Sequence, residues 1–303
     1  MTERVMVTGG GGFIGSHLVK ALLKQGYEVF VLDRLNEKKI SLAGKKANLI
    51  SADITDKKRI DSIINDMGTI DFVFHLAAQV SVAFGEANPE ENKKINVDGT
   101  RNILDLAKAC NAKGFVFFSS AAVYGDAKSF PIKETDPTEP INQYGLSKLK
   151  AEALCLKYTN SFDVVIIRPF NVYGPKQKPG DDVVSVFIDK ISKGEPLTFF
   201  GDGSQTRDFI FVDDVVSFSV SVLKNTPVRQ AVFNVGTGKE TTIKELAELL
   251  MKLKGTRVPV VHLKEHPREI KRSVADISKI KALGFEPTPL EEGLKKTLGR
   301  MVR

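Results

Sequence analysis

Three observations in this 303-residue chain predict an α/β fold: a doubly wound parallel sheet with a smaller α/β lobe. Short apolar runs, Val5-Met6-Val7, Phe115-Val116-Phe117-Phe118 and Val164 to Ile167, read as strands buried on both faces. They alternate with segments of helical period. A glycine-rich turn joins the first strand to the first helix, and the alternation breaks at Arg168-Pro169-Phe170-Asn171-Val172-Tyr173-Gly174-Pro175.

Composition narrows the class. Hydrophobic residues make 42% and charged residues 27%, ordinary for a chain that buries a large core, and no apolar run is long enough to span a bilayer. Met1 to Arg4 leads directly into the first strand, so no signal peptide is expected and the location is read as cytoplasmic. Cys110 and Cys155 fall at apolar positions of predicted helices, against a disulfide framework or a metal site. The net charge of +7 is spread over helix faces without aromatic interleaving, which argues against nucleic acid and for a small anionic ligand.

In order, Val5 to Thr8 is the first strand. It runs into Gly9-Gly10-Gly11-Gly12-Phe13-Ile14-Gly15, where glycines let the backbone turn tightly and approach a pyrophosphate. The helix opening at Phe13 aims its free amides at the phosphates. A second strand, Tyr27 to Leu32, ends in Asp33, placed to bind ribose hydroxyls and repel a 2′-phosphate, so NAD is favoured over NADP. Arg34 is the counter-reading, since an arginine there could hold that phosphate. Leu49 to Asp53 is the third strand; Asp53 and Ile54 flank the adenine, or Asp53 is a helix cap. The fourth, Ile70 to Leu76, delivers His75, Leu76, Ala77 and Ala78 to the cofactor cleft. His75 lacks partners at metal-ligand spacing.

Asn88-Pro89-Glu90-Glu91 starts a helix expected to reach about Cys110, with Asn96 facing the cofactor. Its apolar stripe, Ile103, Leu104, Leu106 and Ala107, is either ordinary burial against the sheet or a surface for pairing helices in a homodimer. Ser119 and Ser120 follow the fifth strand. In Tyr144-Gly145-Leu146-Ser147-Lys148 the helical period sets Tyr144 and Lys148 one turn apart on one face. A free phenol has a pKa near ~10 and is a poor base; an ammonium at about 4 Å would lower it by on the order of three units. Tyr124 and Lys128 repeat the spacing, but Gly125-Asp126 breaks any helix there.

Beyond the sixth strand come a loop at Pro175 to Gly180, a helix at Asp182 to Lys193, a strand at Leu197 to Phe200 and a turn at Gly201-Asp202-Gly203. Gln205-Thr206-Arg207-Asp208-Phe209 follows. Arg207 suits a phosphate, or else pairs with Asp208 at the surface. A helix from Asp213, a strand from Ala231 to Val235, a helix from Thr241 to Lys254 and a basic segment from His262 to Arg272 complete the chain. Residues 1–170 are read as the dinucleotide-binding domain, with about 205–235 returning to it, and 171–303 as mainly the second lobe.

Thr8 to Gly15, His75 to Ala78, Ser119 to Gly125, Tyr144 with Lys148, and Arg168 to Pro175, in that order, make the chain resemble the extended short-chain dehydrogenase/reductase family. Within it the chain is most similar to UDP-glucose 4-epimerases and related nucleotide-sugar epimerases. The resemblance implies a Rossmann-type sheet, retained NAD and a UDP-sugar substrate bound by the second lobe. It assigns catalysis to Ser120, Tyr144 and Lys148. Gly9, Gly12, Phe13, Ile14, Gly15, Asp33, Asp53, Ile54, Leu76, Ala77, Ala78 and Asn96, with Tyr144 and Lys148, are the implied cofactor contacts. Ser120, Tyr144, Asn171, Phe199, Arg207, Arg268, Glu269 and Ser273 are the implied substrate contacts. Similar dehydratases and decarboxylases carry acidic residues where this chain has Ala121-Ala122, which points to epimerisation. His266-Pro267-Arg268-Glu269 departs from the family's last substrate motif. If Glu269 is its acid, Ser273 lies near the sugar 2-substituent; otherwise it is a turn residue.

Overall fold

The structure, a computed structural model, describes residues 2–34, 36, 39, 41, 46–180, 182–225, 230–265 and 270–301. Seven strands form the main sheet: β1 (Arg4–Thr8), β2 (Glu28–Asp33), β3 (Asn48–Ser51), β4 (Phe72–His75), β5 (Gly114–Phe118), β6 (Asp163–Pro169) and β11 (Gln230–Val235), in the order β11-β6-β5-β4-β1-β2-β3. The pairings from β6 to β3 are parallel. The strand order reverses between β1 and β4, and the crevice outside the carboxyl ends of the strands at such a switch point is where this architecture takes ligands.

Burial follows the apolar runs. Val5, Met6 and Val7 are inaccessible, and every residue of β5 is buried. The Phe13–Lys24 helix opens on Gly12 with no capping side chain and no acid in its first turn, so its leading amides are left to an anion.

The helix expected from Pro89 changes pitch: α-helical at Pro89–Lys93, π-helical at Lys94–Asp98 and α-helical again at Gly99–Ala109. Ile103, Leu104, Leu106 and Ala107 on it are wholly inaccessible within the single chain. The stripe is spent on the protein's own core, and the case for pairing helices through it falls away.

The chain divides into two compact units. The first contains residues 1–125, 138–168 and 216–233; the second contains 126–137, 169–215 and 234–303. Residues 126–137 thus group with the second unit, although in sequence they lie inside the first domain. The reason is a local set of hydrogen bonds: Ile132 N–H to the Val274 carbonyl at 2.8 Å, Asp276 N–H to the Ile132 carbonyl at 2.7 Å and Asn234 Nδ2 to that carbonyl at 2.8 Å.

Among the described residues the second unit has three two-stranded sheets. β7 (Asn171–Tyr173) pairs parallel with β10 (Phe209–Phe211), β8 (Leu197–Phe200) parallel with β13 (Val260–Leu263), and β9 (Thr206–Arg207) antiparallel with β12 (Thr241–Thr242). Strand β13 lies where only a basic segment is expected. Its helices Val183–Lys193 and Ile243–Lys254 begin with capping boxes at Asp182 and Thr242 and end at Gly194 and Gly255 in left-handed backbone. Both cysteines are buried thiols. Among the described residues no helix is long and apolar enough to cross a membrane, and no acid, histidine and cysteine cluster could hold a metal.

Candidate active site

The glycine turn is closed by contact. Gly9, at φ 72°, donates its N–H to the Leu32 carbonyl at 2.9 Å and accepts from Gly12 at 2.9 Å. A Cβ on Gly9 would lie 2.7 Å from the Ala77 nitrogen, and one on Gly15 would lie 2.2 Å from the Gly9 oxygen. Only glycine admits this approach of β1, the first helix and the segment after β4. The cradle fits a dinucleotide pyrophosphate, with Phe13 and Ile14 at the first turn of the helix. At the end of β2, buried Asp33 accepts from Gly11 N–H at 3.0 Å.

Asp53 follows β3. Its carboxylate holds Thr55 N–H at 2.9 Å and the Thr55 hydroxyl at 2.8 Å, while the helix cap is Asp56. The Arg34 guanidinium reaches Asp53 at 3.7 Å. Ile54 is buried against Gly99, where a Cβ would sit 2.6 Å from it.

Behind Leu76, Ala77 and Ala78, buried His75 anchors a one-way hydrogen-bond chain. The Thr100 hydroxyl donates to the Asn96 carbonyl at 2.7 Å, so its oxygen accepts from His75 Nε2 at 3.0 Å. Nδ1 then accepts from the Thr8 hydroxyl at 2.6 Å, and the Thr8 oxygen accepts from Ala77 N–H at 3.2 Å. Burial, helped by the Lys148 charge, lowers the imidazole pKa from 6.5 to about 3. Between those values the unfolded chain takes up a proton that the folded chain refuses, so stability should fall as pH drops from 6.5 towards 3. The full effect is on the order of 4–5 kcal/mol. Urea midpoints should decline from pH 7 to pH 4.5, and His75→Asn should flatten that decline; an equal slope in the variant would exonerate His75.

Asn96 is expected to face the cofactor, but its amide is engaged elsewhere. Nδ2 donates to the Gln79 carbonyl at 2.9 Å and Ser147 Oγ at 2.8 Å, while Oδ1 accepts from Gln79 N–H at 2.8 Å. Ser147 Oγ donates in turn to the Tyr144 carbonyl at 2.7 Å. Asn96 therefore ties the segment after β4 to the Tyr144 helix, Gln143–Cys155.

Ser119, directly after β5, has a buried hydroxyl with no hydrogen-bond partner among the described residues, as expected of a group that binds a ligand. Ser120 caps the 3₁₀ turn Ala121–Tyr124 through Ala122 N–H at 3.1 Å, and its hydroxyl lies near enough to the Tyr144 phenol to lower its pKa. Gly145 permits the approach, because a Cβ there would sit 2.5 Å from the Ala122 oxygen. Burial raises the Tyr144 pKa, and the Ser120 hydroxyl offsets part of that rise. The depression expected from Lys148 is not what governs the phenol in the protein alone. Lys148 is itself buried, its ammonium 4.4 Å from the centre of the Phe117 ring, and desolvation lowers its pKa to about 8.

Beneath this pair lies a buried ion pair that the sequence did not announce. Arg168 donates to Glu152 through Nε at 2.9 Å and Nη2 at 2.6 Å, and through Nη1 to the Tyr124 hydroxyl at 2.9 Å. It joins the end of β6, the Tyr144 helix and the turn after Ser120.

In the second unit, Asn171 opens β7 and donates its N–H to the Asp208 carbonyl at 2.9 Å. Arg207 Nη1 donates to the carbonyls of Thr206 at 2.8 Å and Ile270 at 2.7 Å. It is no surface partner of Asp208. That carboxylate is inaccessible and accepts from Thr237 N–H and hydroxyl at 2.7 and 2.6 Å, Gly238 N–H at 2.9 Å and Ala275 N–H at 3.1 Å. Phe199 is 4% exposed, packed between Phe187 and His262, whereas Phe200 is 44% exposed. A ring on β8 available to a ligand is that of Phe200. Ser273 is partly exposed, while Arg268 and Glu269 lie outside the described residues.

Comparison with known proteins identifies the family. Residues 5–236 match the NAD dependent epimerase/dehydratase family. The chain is 38% identical to a putative UDP-glucose 4-epimerase of Methanocaldococcus jannaschii, over 98% of each chain. It is 36% identical to UDP-glucuronic acid decarboxylase 1 of Danio rerio, over 98% of this chain and 72% of that one. The crystal structure of UDP-glucose 4-epimerase from Thermotoga maritima with UDP-glucose superposes with a TM-score of 0.93 at 35% identity, covering 99% of this chain and 98% of that one. With its glycine cradle, the buried Asp33 at the end of β2 and Ser120, Tyr144 and Lys148 in one unit, this chain belongs to the NAD dependent epimerase/dehydratase family.

Proposed function

We propose that the protein is a cytoplasmic 4-epimerase of a UDP-sugar, interconverting UDP-glucose and UDP-galactose. The observation that carries the reading is the Ser120 hydroxyl acting on the buried Tyr144 phenol, with Ala121-Ala122 directly after Ser120. The glycine cradle, Asp33, Ser119 and Lys148 would hold NAD, which when bound supplies the acceptor and donor of hydride and a cationic ring. Tyr144 takes the proton of the sugar 4-hydroxyl and Ser120 donates a hydrogen bond to the same oxygen. Lys148 keeps the phenolate form accessible once cofactor and substrate displace water. After the keto sugar has turned over, C4 takes hydride back on its other face while Tyr144 returns the proton to the 4-oxygen.

Decarboxylases among the relatives make the rival reading concrete. Elimination and decarboxylation need a further acid or base beside the sugar, and the methyl groups of Ala121 and Ala122 supply none. Arg207, Asn171 and the exposed Phe200 ring support binding of a nucleotide moiety by the second unit. Incubation with UDP-glucose should yield UDP-galactose by chromatography; carbon dioxide release from UDP-glucuronic acid without epimerisation would reverse the assignment.

Ser273 sets the sugar range in this reading. A small side chain there leaves room for an N-acetyl group, so UDP-N-acetylglucosamine should turn over within about tenfold of UDP-glucose, the span of roughly 1.4 kcal/mol. Ser273→Tyr should abolish only the N-acetylated reaction. Equal rates for both sugars in that variant would place Ser273 outside the pocket.

A further inference from the structure

The Asp33 carboxylate is engaged on both oxygens by the chain itself. Oδ2 accepts from Gly11 N–H at 3.0 Å, and Oδ1 receives the Lys39 ammonium. Lys39 is held at its backbone, where its N–H donates to Asn36 Oδ1 at 3.0 Å. Its stem lies over the glycine turn: a Cβ on Gly11 would fall 2.7 Å from the Lys39 Cβ. Asp33 is 7% exposed and Lys39 29%, so the pair is sheltered from the screening that makes surface ion pairs weak. Arg34 differs, because its guanidinium is exposed and turned to Asp53 at 3.7 Å.

A carboxylate at this strand end rejects a 2′-phosphate because two anions would meet. That rejection depends on the net charge of the position. We propose that Lys39 is a specificity-determining residue of the cofactor site: it neutralises Asp33, so the protein tolerates a 2′-phosphorylated dinucleotide as well as NAD. Asp33 Oδ1 retains a lone pair for a ribose hydroxyl, so NAD binding survives the pairing. The same ammonium would meet a 2′-phosphate with a favourable charge. The inference rests on the cofactor site alone and is indifferent to which sugar is turned over.

Calorimetric titration of the nucleotide-free protein with NAD and with NADP tests it. The parent should bind the two with Kd values within about tenfold of each other, and Lys39→Met should widen the ratio by at least tenfold, through loss of one charge pair. Lys39→Arg should preserve the parent ratio, and Arg34→Ala should change it by less than about threefold. Retained NAD affinity in Lys39→Met shows that the site still folds; if it is lost, Lys39→Gln replaces it. An unchanged ratio in the Met or Gln variant, or a parent that rejects NADP by about 1,000-fold as an unpaired carboxylate would, overturns the proposal.

Discussion

Tyr144→Phe is expected to lower kcat by about 10²–10⁴-fold while NAD remains bound. The substitution removes one oxygen and keeps the ring that fills the space beside Ser120. It leaves the glycine cradle, Asp33 and Lys148 untouched. The phenol is acted on by the Ser120 hydroxyl and sits on the face of its helix that carries Lys148. Its pKa is raised by burial, so the phenol must lose its own proton before it can act as the base on bound substrate. UDP-galactose formation, followed with nucleotide retained through gel filtration, separates the two effects. Turnover within tenfold of the parent would remove Tyr144 from the chemistry.

Glu152→Ala should destabilise the fold by roughly 3–5 kcal/mol. Arg168 is buried and its guanidinium is fixed bidentately by Glu152, so the truncation leaves a cation without its counter-charge. Replacing both, Arg168→Met with Glu152→Leu, should cost much less than Glu152→Ala alone, because no charge is then stranded. Urea unfolding of the single and double variants gives the comparison. A cost below about 1 kcal/mol for Glu152→Ala would mean that water or another acid already serves Arg168.

The legible parts of this protein are those set by near neighbours in the chain. Glycine spacing before Phe13, Asp33 at a strand end, and Tyr144 one turn from Lys148 are decided within a few residues. What the sequence concealed was decided at a distance. Asn96 lies on the expected helix, yet its partners Gln79 and Ser147 are set by packing between segments. Asp208 beside Arg207 looked like a surface pair, but the loop at Thr237-Gly238 and the strand end at Ala275 turn it inward. An acid preceding the apolar run Phe209-Ile210-Phe211 was the available sign. For Phe199 and Phe200 the difference is one residue, which in a strand exchanges the buried face for the exposed one. β13 was invisible because its only reason to be a strand is β8.

The last strand of the main sheet carries a consequence for synthesis. β6 reads Asp163-Val164-Val165-Ile166-Ile167-Arg168-Pro169, and its outer neighbour β11 is made only about sixty residues later. At ribosomal speeds of about 5–20 residues per second, the nascent chain carries an apolar, unpaired edge for roughly 3–12 s. Such an edge is a template for pairing with another chain. Crowded polysomes making this protein therefore present a recurrent aggregation window. A chaperone that shields β6 until Gln230–Val235 emerges should raise soluble yield without altering the stability of the finished protein.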